Sequence, residues 1–365
     1  MRLRGLPWER LFGIKHPLIL PGMSWISTPE LVAAVSNAGG LGILATGPLN
    51  AEQTRSSIRR VRELTKQPFG VGATLLMPGA KENAEVALEE RVPVINYSLG
   101  KGEWIATAAH AYGGKVMATV VSDKHARSAA AAGADALMVT GHEAAAHGGD
   151  VASMVLVPAI AARAALPLVA AGGFATGGGL LAALALGADG VAMGSRFAVS
   201  KESPLHSTVK DRVVQLTEAD TIYSKNFDGL WARVMKTPAA QRACAKPTGA
   251  LAAALASVRA ARRMGMPLWK VAPALATQWD KMYTLALFGA ATEAIQAATV
   301  DGNLQDGVQF IGQVQGLINQ VLSAEEIVQL VMAEVRDAHA RNSRAFSADE
   351  SQTTSDSEHT HEKVA

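Results

Sequence analysis

Cysteine is nearly absent from this sequence, which has one such residue, Cys244, among 365. A single thiol forms no disulfide within the chain, and it excludes the usual metal clusters built from several cysteines. Chains without disulfides are typical of reducing compartments. We therefore expect a cytoplasmic protein.

The sequence also lacks a surplus of charge of either sign. Lysine and arginine together number 34, and aspartate and glutamate together number 32. Proteins that bind nucleic acid carry a basic field, and solvating tails are strongly acidic, so neither class fits this balance. With 49% of its residues apolar, the chain can bury a sizeable core. These numbers favour a globular protein without a nucleic-acid partner.

The first twenty residues contain no uninterrupted apolar run, because charged residues are spread through them. We therefore expect no secretory signal. Residues 164–188 carry no charge over a length that could span a bilayer. However, this stretch contains Pro167 and two glycine clusters, which a lipid-exposed helix tolerates poorly. We interpret it as a buried strand, a glycine loop and a buried helix, and we expect no membrane partner.

Short apolar runs alternate with helical patterns over the first two thirds of the chain. The apolar runs lack a two-residue alternation with polar side chains, which indicates strands of a parallel sheet covered on both faces. Eight strand–helix units predict a (β/α)₈ TIM barrel, and an open doubly wound sheet is the alternative. The predicted strands are LIL, GILAT, FGVGAT, PVINYS, KVMATV, ADALMV, PLVAAGG and DGVAMG.

The pattern divides the chain into four parts, of which residues 10–204 form the predicted barrel. Residues 205–300 are rich in alanine, as in GALAAALASVRAARRMGM, and show no strand–helix alternation. We therefore expect a helical insertion there that covers the barrel mouth. Residues 301–340 return to an amphipathic helical pattern, which predicts packing on the barrel. The polar residues 341–365 predict a disordered tail.

Glycines follow the last two predicted strands. Gly172 and Gly173 end PLVAAGG, and Gly194 and Ser195 follow DGVAM. Glycine lets backbone N–H groups approach a phosphate without a Cβ atom in the way. Because the loops after strands 7 and 8 are the usual phosphate site of a TIM barrel, the two loops predict a phosphate-bearing ligand. The alternative is that these glycines only end the strands.

The stretch GHEAAAHGGD, residues 141–150, contains two histidines and one glutamate. A helical zinc motif needs histidines four residues apart, whereas His142 and His147 are five apart and would diverge by about 140° on a helix. The stretch follows the sixth predicted strand, which indicates a loop at the barrel mouth. A histidine there suits proton transfer near neutral pH. We select His147 as the candidate base, with a histidine capping loop carbonyl groups as the alternative; no metal site is predicted.

Taken together, these motifs resemble the FMN-dependent nitronate monooxygenases, formerly called 2-nitropropane dioxygenases. That family includes related flavin NADH:quinone reductases and flavin enoyl-acyl-carrier-protein reductases. The resemblance covers about residues 10–335. It is carried by PGMSWISTPELVAAVSNAGGLGIL, KQPFGVGATLL, GADALMVTGHEAAAHGG, PLVAAGGFATGGGLLAALALGADGVAMGSRF and IGQVQGLI.

The resemblance implies a barrel that holds FMN at its carboxyl-end mouth. Two residues after the first strand would run along the flavin ring, and the glycine loops after the last two strands would hold the phosphate. Two threonines at strand ends face the same mouth, and a glutamine belongs to the family's C-terminal GQ pattern. The implied cofactor-binding residues are Gly22, Met23, Gly72, Thr119, Thr140, Gly172, Gly173, Gly194, Ser195 and Gln313.

By the same resemblance, His147 matches the family's active-site histidine and would act as base or electrostatic partner. The implied activity is oxidation of nitronates or nitroalkanes by O₂ to carbonyl compounds and nitrite. The alternatives are an NAD(P)H-dependent flavin reductase of quinones or enoyl thioesters, an FMN-binding protein with little chemistry of its own, and a non-flavin barrel enzyme that handles a sugar phosphate. The expected partners are a small-molecule substrate with O₂ or NAD(P)H, and a homodimer is left open.

Three sites depart from the family's pattern. Ala145 and Ala146 stand where glycine is common, and they would add methyl groups beside the flavin. Gly72 replaces an asparagine that would hydrogen-bond the cofactor, and Leu20 and Pro21 stand where glutamine and glycine are usual. These departures predict a pocket of altered shape and leave the substrate open.

Overall fold

Eight parallel strands pair in chain order, and β8 pairs with β1 to close the sheet into a barrel. All eight predicted strands are present, so the TIM-barrel prediction is confirmed and the open sheet is excluded. The computed structural model describes residues 8–77, 79–145, 147–245 and 291–358, with side chains described as far as residue 346. The strands are β1 (Leu18–Leu20), β2 (Leu41–Ala45), β3 (Phe69–Thr74), β4 (Val94–Ser98), β5 (Lys115–Val120), β6 (Ala136–Thr140), β7 (Leu168–Ala171) and β8 (Gly190–Ala192).

Helices connect the strands and bury their apolar faces against the outside of the barrel. In the helix after β2, Ile58 and Val61 are fully buried, whereas Arg59 and Arg60 are exposed. That helix begins with a capping box in which the Asn50 side chain accepts from the Gln53 N–H. The helices are α1 (Trp8–Phe12), α2 (Pro29–Asn37), α3 (Ala51–Leu64), α4 (Ala80–Glu89), α5 (Glu103–His110), α6 (Asp123–Ala131), α7 (Ser153–Ala161), α8 (Gly177–Ala185) and α9 (Gly194–Ala198).

A separate apolar cluster fills the inside of the barrel and its amino end. Side chains such as Ile43, Met117 and Val169 point inward and are fully buried. Helix α1 precedes β1 and adds Trp8 and Phe12, whose rings stack with centroids 5.3 Å apart. The Trp8 indole N–H donates to the carbonyl oxygen of Asp189, at the start of the last strand–helix unit. The interior of the barrel is therefore filled by packed side chains toward its amino end.

The insertion contains strands that the prediction of a helical cap over residues 205–300 did not include. It contains α10 (Ser207–Val213) and α11 (Pro238–Ala245), but an antiparallel hairpin of β9 (Thr221–Ser224) and β10 (Ala232–Met235) lies between them. The prediction missed the hairpin because its two strands have only four residues each and are followed by alanine-rich sequence. The alanine-rich run GALAAALASVRAARRMGM lies in residues 246–290, outside the described residues, and residues 291–299 are helical.

The C-terminal part packs on the barrel through a 3₁₀ turn, Gln313–Leu317, and a last helix, α12 (Ala324–Glu358). Helix α12 lies against α8, where Glu334 accepts a hydrogen bond from the Gly177 N–H at 2.6 Å. The same helix continues to Glu358 through the segment for which disorder was predicted. Polar composition indicates that no core is buried there, but it does not prevent a helix that has already begun from continuing. Among the described residues, no helix is long and apolar enough to cross a membrane.

Candidate active site at the barrel mouth

A cavity of about 1710 Å³ opens at the carboxyl ends of the strands. Residues that follow each of the eight strands contribute to its wall. His147 lines it, as do nine of the ten predicted cofactor residues; the tenth, Gln313, does not. The nine are Gly22, Met23, Gly72, Thr119, Thr140, Gly172, Gly173, Gly194 and Ser195.

Two glycine loops form one side of the cavity. Gly172 and Gly173 have φ angles of 84° and 87°, which side chains rarely adopt, and a Cβ atom on Gly172 would lie 3.0 Å from the Ala144 nitrogen. Gly194 and Ser195 begin α9. Within the described ranges, the backbone N–H groups of these two pairs donate to no acceptor. Backbone N–H groups without an acceptor after β7 and β8 are suited to bind an anion, and we call these four residues the anion cradle.

The C-terminal segment closes the back of this cradle. The N–H of Gly312 donates to the Ser195 Oγ atom at 2.9 Å, which leaves the hydroxyl proton of Ser195 for another acceptor. The N–H of Gln313 donates to the Glu143 carbonyl oxygen at 3.0 Å. Gln313 thus differs from its predicted role: its backbone joins the C-terminal segment to the histidine loop, and its side chain is not part of the cavity wall.

Small and polar residues form the floor of the cavity. Gly22 and Gly72 face each other closely, since a Cβ atom on Gly72 would lie 3.6 Å from the Gly22 Cα atom. Asn96 of β4, which the sequence analysis did not select, is buried in the wall and donates to the Thr119 Oγ atom at 3.1 Å. Met23 lies nearby, and its sulfur would be 3.4 Å from a Cβ atom on Gly194. At the floor the two glycines therefore pack backbone against backbone, beside one amide and one hydroxyl group.

His147 has a partner that the sequence analysis missed. Its Nε2 atom lies 2.8 Å from Oδ2 of Asp228, in the loop between β9 and β10. The Asp228 side chain is 4% exposed, whereas that of His147 is 28% exposed. The only local signal for this residue was the dipeptide Asp228–Gly229, a pair common in hairpin turns. The candidate base therefore faces the cavity with a buried carboxylate beside it.

Two further contacts join the hairpin to the histidine loop. The Tyr223 hydroxyl donates to the Gly148 carbonyl oxygen at 3.0 Å. The guanidinium of Arg233 donates to the His142 carbonyl oxygen at 3.1 and 3.3 Å and lies over the Tyr223 ring. Burial lowers the pKa of Arg233 from its usual value, and the Tyr223 and Glu143 side chains partly oppose this shift.

His142 and Glu143 have structural contacts. The His142 Nδ1 atom donates to the Gly149 carbonyl oxygen at 3.0 Å, and its ring packs edge-on against Tyr223. The Glu143 carboxylate accepts from the N–H and the hydroxyl of Ser153, so it caps α7 rather than orienting His147. No group of side chains suited to hold a metal ion occurs in the part of the chain that the structure describes.

The barrel and the histidine at its mouth define a TIM-barrel enzyme. The protein family described as nitronate monooxygenase matches residues 7–89 and 79–334. This chain belongs to that family of oxidoreductases. The family prediction made from the sequence is therefore confirmed.

Individual relatives have different names. The chain is 35% identical, over 91% of its length and 96% of the relative's, to "(3aS,4S,5R,7aS)-5-hydroxy-7a-methyl-1-oxo-octahydro-1H-indene-4-carboxyl-CoA dehydrogenase" from Mycobacterium tuberculosis. It is 30% identical, over 61% of its length and 76% of the relative's, to a "Probable nitronate monooxygenase" from Staphylococcus aureus. FabK from Thermotoga maritima has a similar structure, with a TM-score of 0.79, 31% identity, and coverage of 93% of this chain and 99% of that one.

Proposed function

We propose that this chain is an FMN-dependent oxidoreductase that acts on an acyl thioester, at the carbon next to the thioester carbonyl group. The observation that carries the proposal is the position of His147, in the wall of the same cavity that the two glycine loops line. A base and an anion cradle in one mouth fit a reaction in which a proton leaves a carbon acid beside a phosphate-anchored cofactor.

The residues present fit FMN. The unpaired N–H groups of Gly172, Gly173, Gly194 and Ser195 would hold its phosphate, with the Ser195 hydroxyl as an added donor. Gly22 and Gly72 line the cavity and carry no side chain, so a flat ring would lie against their backbone. FMN, when bound, supplies an acceptor for a hydride and its electron pair.

His147 would remove the proton from the carbon next to the carbonyl group. As hydride leaves the neighbouring carbon, a carbon–carbon double bond forms, and the thioester loses two hydrogen atoms in all. The reverse reaction, reduction of an enoyl thioester, uses the same residues with His147 as the proton donor. In the dehydrogenation direction O₂ would accept the electron pair that the cofactor took from the thioester, and in the direction of enoyl reduction NAD(P)H would supply that pair.

Two observations favour a thioester over a small nitronate. The relative named as a CoA-thioester dehydrogenase matches 91% of this chain, whereas the nitronate relative matches 61%. The cavity, at about 1710 Å³, also exceeds the roughly 300–1000 Å³ usual for a single small ligand. The volume therefore leaves room for a long substrate beside a flavin.

Nitronate oxidation is the second candidate. It is favoured by the family description, by the staphylococcal relative and by a histidine at the position from which a nitroalkane proton would be removed. A nitronate needs only a small pocket, and Gly172 and His147 would serve both reactions. The two candidates therefore differ in substrate and not in the residues that perform the chemistry.

Anaerobic mixing of the FMN-loaded protein separates these candidates. We expect cyclohexanecarboxyl-CoA or octanoyl-CoA to bleach the flavin absorbance, and propionate 3-nitronate to bleach it at least ten times more slowly. Faster bleaching by the nitronate would establish the second candidate. Bleaching by NADPH alone, followed by reoxidation with an enoyl-CoA, would establish thioester reduction. A protein that takes up no FMN would overturn both candidates.

The role of His147 is tested with a matched control. His147→Gln should retain FMN and bleach at least ~100-fold more slowly, the usual contribution of a general base. His110 also contacts an aspartate, with its Nε2 atom 2.9 Å from Asp135, but it lies at the end of α5 near the amino end of the barrel. His110→Gln should therefore bleach at the wild-type rate. Equal bleaching rates for the two variants would show that His147 does not take part in the reaction.

A further inference from the structure

We infer that Asp228 is a positioning residue that fixes the tautomer of His147, so that Nδ1 is the atom that exchanges the substrate proton. The predicted effect on the reaction rate rests on the proposed function, but the tautomer of His147 can be measured without a substrate. It assigns a function to the hairpin of the insertion: the hairpin supplies the group that prepares the histidine for proton transfer.

The first support is the geometry of the pair. One oxygen of Asp228 lies 2.8 Å from the His147 Nε2 atom, and the other accepts from the Leu230 N–H at 3.1 Å. The carboxylate is therefore held from both sides. Within the residues that the structure describes, Asp228 has no lysine or arginine partner, although it is almost fully buried. A buried carboxylate oxygen can only accept a hydrogen bond, so its contact with the imidazole favours a proton on Nε2.

The second support is the attachment of the hairpin. Tyr223 and Arg233, on opposite strands, bind the carbonyl oxygens of Gly148 and His142, which flank His147 in the same loop. Asp228 lies in the connection between those strands. Three contacts thus join two short segments that are far apart in the chain. The carboxylate is held at a fixed distance from the imidazole.

The chemical consequence concerns the other ring nitrogen. With the proton on Nε2, Nδ1 keeps its lone pair, and no described residue hydrogen-bonds to Nδ1. His147 can then take a substrate proton at Nδ1 while Asp228 stabilises the imidazolium that forms. An asparagine at position 228 can instead donate its amide N–H to Nε2. That contact moves the ring proton to Nδ1 and blocks the acceptor.

The experiment compares wild-type protein with Asp228→Asn, both FMN-loaded and labelled with ¹⁵N-histidine. Long-range ¹H–¹⁵N correlation spectra report the tautomer, and His147→Gln identifies the resonances. We expect the Nε2–H form in wild type and the Nδ1–H form in Asp228→Asn. Flavin bleaching by the thioester should fall at least ~100-fold, with unchanged FMN affinity. Asp228→Glu, which keeps a carboxylate, should restore the Nε2–H form and part of the rate.

An exposed carboxylate outside the hairpin provides the control variant. Asp306 is an exposed carboxylate of the same region, paired with Arg242, and Asp306→Asn should match wild type in spectrum and rate. A wild-type Nδ1–H form would overturn the inference, as would an Asp228→Asn protein that keeps the wild-type tautomer. If no thioester bleaches the wild-type flavin, the proposed function fails, while the spectra still decide the tautomer. If Asp228→Asn does not fold, the Asp228→Glu and wild-type spectra decide it.

Discussion

The Oγ atom of Ser195 accepts a hydrogen bond from the backbone N–H of Gly312 at 2.9 Å, although 117 positions separate the two residues. This bond connects the loop after the last barrel strand to the C-terminal segment. Gly312 also has no space for a side chain, because a Cβ atom there would lie 2.9 Å from the Glu143 carbonyl oxygen. The anion cradle and the histidine loop are therefore held against the same backbone segment.

Ser195→Ala should weaken FMN binding about tenfold. The variant removes one donor to a charged phosphate, an interaction that contributes about 1.5 kcal/mol. It also leaves the buried Gly312 N–H without its acceptor, which should lower the free energy of unfolding by about 1–3 kcal/mol. Titration with FMN, followed by flavin fluorescence, measures the first effect, and denaturant unfolding of the FMN-free protein measures the second.

Ser200→Ala is the matched control for that variant. Ser200 is also fully buried after α9, but its hydroxyl has no hydrogen-bond partner within the described residues. Removing an unpaired buried hydroxyl should leave stability unchanged or raise it. If Ser195→Ala binds FMN as tightly as Ser200→Ala does, Ser195 does not contact the phosphate.

Gly172→Ala should lose FMN binding and destabilise the fold. At φ 84° a side chain is strained by about 1–3 kcal/mol, and its Cβ atom would lie 3.0 Å from both the Ala144 nitrogen and the Gly141 oxygen. Gly178→Ala provides the contrast, because Gly178 lies exposed in α8, where a Cβ atom would meet only the Thr176 Oγ atom at 3.9 Å, and alanine there should stabilise the helix by about 0.5–1 kcal/mol. Thermal unfolding and FMN titration of both variants test this, and equal behaviour would contradict the strain argument.

The barrel could be predicted because each strand is buried on both faces. A strand such as β7, with four buried apolar residues, leaves a continuous apolar run that the sequence displays directly. The glycine pair at the end of β7 could also be recognised in the sequence, and Gly172 and Gly173 adopt the positive φ angles that only glycine tolerates well. The burial of a strand and the backbone conformation of a glycine leave their mark on a few consecutive residues, so a short stretch of sequence is enough to predict them.

The hairpin and its aspartate could not be predicted in this way. All four residues of β9 are half-buried, so the strand shows neither a continuous apolar run nor an alternation. His147 and Asp228 meet across 81 positions, and no local spacing records such a contact. Gln313 was selected from a family pattern, but its contribution is a backbone hydrogen bond, which side-chain identity does not reveal.

Arg233→Met should detach the hairpin from the histidine loop. The variant keeps most of the apolar stem but removes the guanidinium that binds the His142 carbonyl oxygen and the Thr221 hydroxyl. Loss of these buried charged hydrogen bonds should lower the free energy of unfolding by about 2–3 kcal/mol. Arg212→Met, on exposed α10 surface, should change it by less than about 0.5 kcal/mol. Denaturant unfolding compares the two, and similar losses would show that Arg233 does not anchor the hairpin.

The Glu326 carboxylate, near the start of α12, should stabilise the fold at neutral pH and lose this effect in acid. The carboxylate accepts from the Ser323 N–H at 2.7 Å and contacts Lys201 at 2.9 Å, and these bonds lower its pKa from 4.5 to about 2. Because the folded-state pKa lies below the unfolded value, this stabilisation is complete above about pH 4.5 and is lost as the pH falls toward 2. The Tm difference between wild type and Glu326→Gln should therefore be largest at pH 6 and shrink steadily below pH 4.5. Glu325→Gln, whose carboxylate accepts a hydrogen bond from the Gln329 side chain, should follow the wild-type pH dependence, and a Glu326→Gln difference that stays constant down to pH 3 would contradict the capping role.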